Sequence, residues 1–260
     1  MILNGNSGCD LKLVSNNVIR KTSKSADYNN RLRAQMEKQS KFNHQKIKTP
    51  KILGSGILDG LFYYDMEFIN GQKFSDYVMT SEFDTTTQMF KEVLSFIKSN
   101  DEGHMYDPTY YITNKINEIE SKIPIDKSIK YFIDANLGRM APIGVSHGDL
   151  TFENIIVFNN DLYLIDFLDG YVQTPIVDIS KLYQELYLGW SNRNDDVPFI
   201  LSVRNHQLKK LLDNFVDDMG YDKMSVRLHI VITMLRILPY LKNTTTYYKV
   251  MNKIFQIINL

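Results

Sequence analysis

Cysteine is nearly missing from this sequence. Cys9 is the only one in 260 residues, which excludes an internal disulfide framework and a multi-cysteine zinc site. A surplus of one charge is also missing, since 30 Lys+Arg balance 30 Asp+Glu and the pI is near 7.0. Nothing global therefore draws the chain to nucleic acid or to a membrane surface. Long hydrophobic runs are absent too: the most apolar stretch, Ile230 to Leu241, is too short to span a bilayer and contains Arg236 and Pro239. Met1-Ile2-Leu3 passes straight into Asn4-Gly5-Asn6-Ser7, unlike a signal peptide. The expectation is a soluble cytoplasmic protein. What is present is ordinary for a globular chain, 43% hydrophobic and 23% charged, and long enough for a sizeable core.

The first seventy residues read as short strands with one helix. Leu11–Val14 and Val18–Ile19 are apolar runs separated by Ser15-Asn16-Asn17. Ala26 to Phe42 is a polar helix with a thin apolar stripe of Leu32, Met36 and Phe42. Lys51–Leu58 and Leu61–Phe68 form a hairpin around Asp59-Gly60, a type I′ signal. After Ile69-Asn70-Gly71 the apolar spacing becomes helical, with a long helical insertion from Ser75 to about Asn136 and further helices after Asp178. One interruption falls among them: Ile155–Phe158 and Leu162–Asp166 are strand-like runs joined across Asn159-Asn160-Asp161. Charge divides unevenly along the chain, with 11 Lys/Arg against 6 Asp/Glu in residues 1–71 and 19 against 24 in the rest.

Chemistry concentrates in Val145-Ser146-His147-Gly148-Asp149-Leu150-Thr151-Phe152-Glu153-Asn154 and in Ile165-Asp166-Phe167 beyond the hairpin. The pattern suits phosphoryl transfer. A carboxylate on a tight loop can orient an acceptor hydroxyl, an amide oxygen five residues on can bind a metal ion, and a second carboxylate can supply its main ligand. Mg²⁺ favours such hard oxygens and keeps positions open for phosphate.

These residues resemble the catalytic signature of the aminoglycoside phosphotransferase and choline kinase family, relatives of protein kinases. The protein-kinase pattern H-R-D-L-x-x-x-N has the same Asp-to-Asn offset, with Gly148 standing in place of Arg. The resemblance implies Asp149 as catalytic base or hydroxyl-orienting carboxylate, and Asn154 and Asp166 as Mg²⁺ ligands. It implies His147 as a brace of the loop and Asp178 as its tether, although a carboxylate near a helix N-terminus would also be favoured there by the macrodipole. The cation on the nucleotide phosphates is Arg20 or Lys21. Val18-Ile19-Arg20-Lys21 matches the V-A-I-K register of protein kinases at Lys21, whereas choline kinases often carry Arg directly after the apolar pair. Alternate strand residues face opposite ways, so only one can serve. Glu37 is the partner expected for that cation. Gly5, Ser7 and Gly8 would form a phosphate-binding turn. Glu67, Phe68 and Ile69 would form the hinge, with backbone groups of Glu67 and Ile69 bonding a base and apolar side chains sandwiching it.

The fold implied is α+β and two-lobed, kinase-like, with a small β-rich N-lobe (1–69) as nucleotide lid and a larger, mainly helical C-lobe (70–260). The function implied is Mg²⁺-dependent transfer of a phosphoryl group from ATP or GTP to a hydroxyl of a small metabolite. The acidic balance after residue 71 favours a cationic acceptor such as an aminoglycoside or amino alcohol, and a sugar or glycan precursor stays open. Asp107, Tyr110, Tyr111, Glu185 and Trp190 are candidates for the acceptor pocket. The rival readings are a non-catalytic pseudokinase that binds nucleotide as an interaction module, and a metal-dependent hydrolase. No nucleic-acid partner is expected.

Overall fold

A computed structural model describes residues 2–3, 8–193 and 198–260. The chain forms two compact units: Met1–Tyr77 with Glu153–Asp169, and Val78–Phe152 with Gly170–Leu260. The sequence division at residue 69 did not anticipate the excursion of residues 153–169 into the first unit.

The first unit is built on strands β1 (Ile2–Leu3), β2 (Cys9–Ser15) and β3 (Val18–Ser23), helix α1 (Asn29–Ser40), and strands β4 (Ile47–Lys48), β5 (Ile52–Leu58), β6 (Leu61–Glu67) and β7 (Gln72–Lys73). Five of these strands make an antiparallel sheet in the order β1-β2-β3-β6-β5. The β5–β6 hairpin turns on Asp59 (φ 51°) and Gly60 (φ 77°), the left-handed pair that a type I′ turn requires. Alternation along β3 buries Ile19, Lys21 and Ser23 and leaves Val18, Arg20 and Thr22 half-covered on the other face. Cys9, Ile19, Leu32, Phe62, Tyr64 and Met66 form the core beneath α1, so the lone cysteine is a packing residue.

Helix α2 (Phe74–Thr80) carries the chain into the second unit, where α3 (Phe83–Ser99), β8 (Asp101–Tyr106), α4 (Thr109–Glu120), α5 (Lys127–Asn136) and β9 (Ala141–Gly144) follow. The helical insertion expected from Ser75 to Asn136 is thus broken by a strand: β8 pairs with β9. Its residues are mostly exposed, with Gly103 at φ 74°, and they show no apolar alternation. The chain then returns to the first unit for β10 (Ile155–Phe158) and β11 (Asp161–Leu164), joined by Asn159 (φ 51°) and Asn160 (φ 63°). That hairpin pairs with β7 and β4 in a second sheet, β4-β11-β10-β7.

Back in the second unit, α6 (Ile176–Leu188) is buried along almost its whole length and packs on α7 (Phe199–Asp218), α8 (Lys223–Ile237) and α9 (Thr244–Ile258). Helix α8 ends at Ile237, where Pro239 tightens the chain into a 3₁₀ turn over Leu238–Tyr240.

Gly71 closes the β7–β10 junction. A Cβ there would lie 2.5 Å from both Ile156 Cγ2 and the Val157 carbonyl oxygen. Gly71→Ala should therefore destabilise the protein by about 1–3 kcal/mol through overpacking against backbone. Urea unfolding checks this, and an unshifted midpoint would show that β7 can move aside without cost.

Candidate active site

In the first unit, β3 delivers Lys21 into the interior, where it is only 2% exposed. Its Nζ lies 2.7 Å from Asp166 Oδ1 and donates to Gln35 Oε1 at 3.0 Å. Burial opposes the charge on this ammonium, but the Asp166 carboxylate outweighs it and the Lys21 pKa is raised. The same enclosure pushes the Tyr64 phenol up to about 12, burial being the main cause. Asp166 lies two residues beyond the end of β11 and adopts φ 61°, a left-handed conformation that Asp tolerates better than most residues. Asn154 precedes β10, and its carbonyl accepts the Ile165 N–H at 3.1 Å. The hairpin register, with Ile155 opposite Leu164, thus brings Asn154 and Asp166 to one end of the sheet. One amide and one carboxylate are hard oxygen donors that fit Mg²⁺, which fills its remaining positions with water and phosphate oxygens.

Arg20 faces the other way. It forms a two-point ion pair with Asp65, at 2.8 Å for each bond, and lies over the Tyr63 ring. Of the two strand cations, Lys21 is the one that meets Asp166. The expected helix partner needs correction: Glu37 is exposed, and Gln35 holds Lys21 instead. Two residues along a helix turn the side chain through about 200°, which is why both cannot face the sheet. Helix α1 also steadies the chain after Asp166, where Lys38 Nζ donates to the Leu168 carbonyl and Phe42 packs on the buried Phe167.

Gly5 and Ser7 lie outside the described residues. Gly8 is described, and a Cβ there would sit 2.6 Å from the Tyr28 ring, so its smallness serves packing. At the expected hinge, the Glu67 N–H donates to the Lys51 carbonyl and the Phe68 N–H to the Asn17 carbonyl, so neither amide is open to a base. Phe68 packs against the core, and Ile69 is half-buried.

In the second unit, α6 presents Asp178, Lys181 and Glu185, all buried, at i, i+3 and i+7 on one face. Asp178 accepts the N–H groups of His147 at 2.6 Å and Gly148 at 2.9 Å. Gly148 has φ 91°, a conformation other residues strongly resist, which explains glycine where protein kinases carry Arg. Lys181 Nζ lies 3.0 Å from Asp149 Oδ1. Glu185 accepts the Phe152 N–H at 3.3 Å and both the N–H and hydroxyl of Ser191. His147 is buried, and its Nδ1 accepts the Asp149 N–H at 3.3 Å. Burial pushes the Asp149 carboxyl up, yet Lys181 more than offsets it and the pKa is lowered. Asp149 is thus ionised at neutral pH.

Lys181 and Gln35 were not foreseen. The signal for Lys181 was a heptad-spaced charge triplet, Asp178-Lys181-Glu185, on an otherwise apolar helix; nothing in the local sequence favours Gln35 over Glu37. Among the residues offered for the acceptor pocket, Glu185 is committed to the loop and Asp107 caps α4 through Thr109. Tyr110 and Tyr111 are exposed, and Trp190 lies under Arg193.

No known protein-family profile matches the sequence, and no curated protein matches it. Solved structures do share the fold. A thermostable mutant of aminoglycoside phosphotransferase APH(4)-Ia, in ternary complex with ADP and hygromycin B, aligns with a TM-score of 0.71 at 12% identity, covering 100% of this chain and 92% of its own. The streptomycin-ATP-APH(2")-IIa ternary complex gives 0.57 at 16%, covering 98% and 90%. A putative fructosamine-3-kinase from Haemophilus somnus 129PT gives 0.57 at 13%, covering 99% and 90%. The expected kinase-like α+β fold is therefore the observed one.

Two tests follow from this geometry. Lys181→Met should raise the Asp149 pKa, because the charge and hydrogen bond that chiefly oppose its burial are then gone. In the wild type, the depressed Asp149 contributes stability above its unfolded pKa that disappears as pH falls through its folded value; in the variant that loss moves to higher pH. Carbon-detected NMR titration of the aspartates reads the shift, and an unmoved pKa would remove Lys181 as its cause. For the first unit, Gln35→Ala should cost about 1 kcal/mol, while Glu37→Ala stays within about 0.5 kcal/mol of wild type in urea unfolding; the reverse order would restore Glu37 as the partner.

Proposed function

We propose that this protein is a Mg²⁺-dependent phosphotransferase that moves the γ-phosphoryl group of a nucleoside triphosphate to a hydroxyl of a small metabolite. The observation that carries this reading is the ion pair of the buried Lys21 with the partly exposed Asp166. A lysine sealed inside a sheet beside the carboxylate that ends a hairpin is arranged so that phosphate and metal can each take one partner. ATP is the favoured donor, since ADP and ATP appear in complexes of phosphotransferases with this fold. GTP would need the same contacts from the phosphates. The base would bond the Glu67 carbonyl and the Ile69 N–H, because the N–H groups of Glu67 and Phe68 already donate to other carbonyls.

Asn154 and Asp166 would hold Mg²⁺, whose charge neutralises the phosphate oxygens during transfer. Lys21 would turn from Asp166 to the donor phosphates. Asp149 would accept a hydrogen bond from the acceptor hydroxyl and aim its oxygen at phosphorus. With its pKa lowered by Lys181, it is a poor base at the outset, so it orients first and takes the proton once the new P–O bond has acidified that hydroxyl. His147 and Asp178 hold the loop and do not touch the reacting atoms. The acceptor is small, because only a short segment separates Asp166 from α6 at Ile176. A peptide-binding activation segment needs more chain than this. The metabolites named by fold neighbours, hygromycin B and streptomycin among them, belong to those proteins.

Asp149→Asn should lower kcat by roughly 10²–10⁴ with nucleotide Kd little changed. Asp166→Ala should abolish the Mg²⁺ dependence of nucleotide binding. The assay offers ATP or GTP with aminoglycosides, amino alcohols and sugars beside generic proteins. Transfer to protein alone, or nucleotide binding without turnover on any acceptor, would overturn the proposal; the second outcome is the one a pseudokinase gives.

A further inference from the structure

Helix α8 carries His229, Thr233 and Arg236 at i, i+4 and i+7, a spacing that places them along one face. His229 and Thr233 are fully buried. Tyr171 lies on this face: its hydroxyl is 2.5 Å from His229 Nδ1, and the Arg236 guanidinium sits 5.1 Å from its ring centroid. Burial lowers the His229 pKa to about 4, so the imidazole is neutral. Burial also raises the Tyr171 pKa, so the phenol keeps its proton.

Hydrogen counting then becomes informative. A neutral imidazole and a phenol share two hydrogens, and one bond between them uses one. The other is left to point elsewhere, and His229 Nε2 finds no partner among the described residues. Arg236 Nη1, Thr233 Oγ1 and Ser146 Oγ are likewise buried without partners. Arg236 forms no ion pair among the described residues. A cation in the last turn of a helix is favoured by the dipole, which accounts for a charge there but not for a guanidinium nitrogen sealed from solvent. Buried water could satisfy the hydroxyls and the imidazole, but it would leave the guanidinium charge without a counterion. The cluster thus has surplus donors and a positive charge with no carboxylate in contact with it among the described residues. Arg236 is also among the groups whose charge lowers the Asp149 pKa, so the two share one electrostatic neighbourhood.

We infer that Arg236, with Tyr171 and His229, forms a binding site for an oxyanion, a carboxylate or phosphate carried by the metabolite whose hydroxyl is phosphorylated. This inference rests on the proposed phosphotransfer for its link to Asp149. It reverses the expectation of a cationic acceptor drawn from the acidic balance of residues 72–260: a net count over a long segment does not set the sign of one buried site. Arginine suits the role because its planar fork meets two oxygens at once.

The test uses matched pairs of compounds that differ only by the acid: gluconate against glucitol, and glycerol 3-phosphate against glycerol. Binding to the nucleotide-free protein is measured by calorimetry for wild type, Arg236→Gln and Arg236→Lys, each first shown to be folded by thermal unfolding. In wild type, the acid of at least one pair should bind about tenfold or more tightly than its neutral partner. Arg236→Gln should erase that preference. Arg236→Lys, which keeps the charge without the fork, should retain part of it and serves if the Gln variant does not fold. Nucleotide Kd should stay within about twofold in both. Equal binding of acid and neutral members overturns the site, as does an acid preference that survives Arg236→Gln. Loss of nucleotide affinity alone would assign Arg236 to the donor and overturn it equally. ATP consumption with the same compounds separates the two readings. An Arg236-dependent acid preference without turnover keeps the anion site and sinks the phosphotransferase, whereas turnover on neutral acceptors alone does the reverse.

Discussion

Asp178 accepts two consecutive amides of the loop that carries Asp149, and the placement of that carboxylate depends on this grip. A carboxyl side chain at zero exposure is tolerated only where hydrogen bonds replace its lost water. The loop supplies two such bonds, and in exchange its backbone is fixed in a conformation that needs glycine at position 148. One turn further along α6, Lys181 sets the charge of Asp149, and one turn beyond that Glu185 takes the Phe152 amide. A single buried helix face therefore determines where the loop runs, how it bends and which protonation state its carboxylate holds.

The two compact units solve the same electrostatic problem in different ways. In each, a deeply buried lysine neutralises a partly exposed aspartate: Lys21 with Asp166, and Lys181 with Asp149. Lys21 reaches its partner from a strand and is steadied by the amide of Gln35, a neutral group that adds no competing charge. Lys181 comes from a helix whose other charges are already committed to backbone amides. Leaving the carboxylate as the more exposed member keeps it accessible to ligands, while the lysine provides the compensating charge from behind.

Much of this was legible from the sequence. The Asp59-Gly60 turn, the hairpin after Asn154 and the helical run after Asp178 follow from local rules of turn chemistry and apolar period, and the structure contains each of them. The spacing from His147 to Asp166 singled out the two hairpin-end residues and the loop carboxylate because those positions are set by short-range chain geometry. What stayed hidden depended on partners distant in sequence. The choice of Lys21 over Arg20 rested on Asp65 being available to hold Arg20 on the opposite face. Gln35 won over Glu37 through the phase of α1 against the sheet. Strand β8 lacked any apolar alternation because its own residues are largely exposed, and Glu185 offered itself as a pocket residue although it serves the Phe152 and Ser191 amides.

The lone thiol gives the first unit a built-in clock. Cys9 is fully buried and pairs across β2–β3 with Ser23, two residues from Lys21. A thiol reagent can reach it only when that sheet opens, so the alkylation rate under native conditions measures the frequency of this opening without any engineered probe. Since no other cysteine competes for the reagent, one mass-spectrometric readout follows the strand that carries Lys21, and any ligand that binds the closed sheet must slow the reaction in proportion to its occupancy.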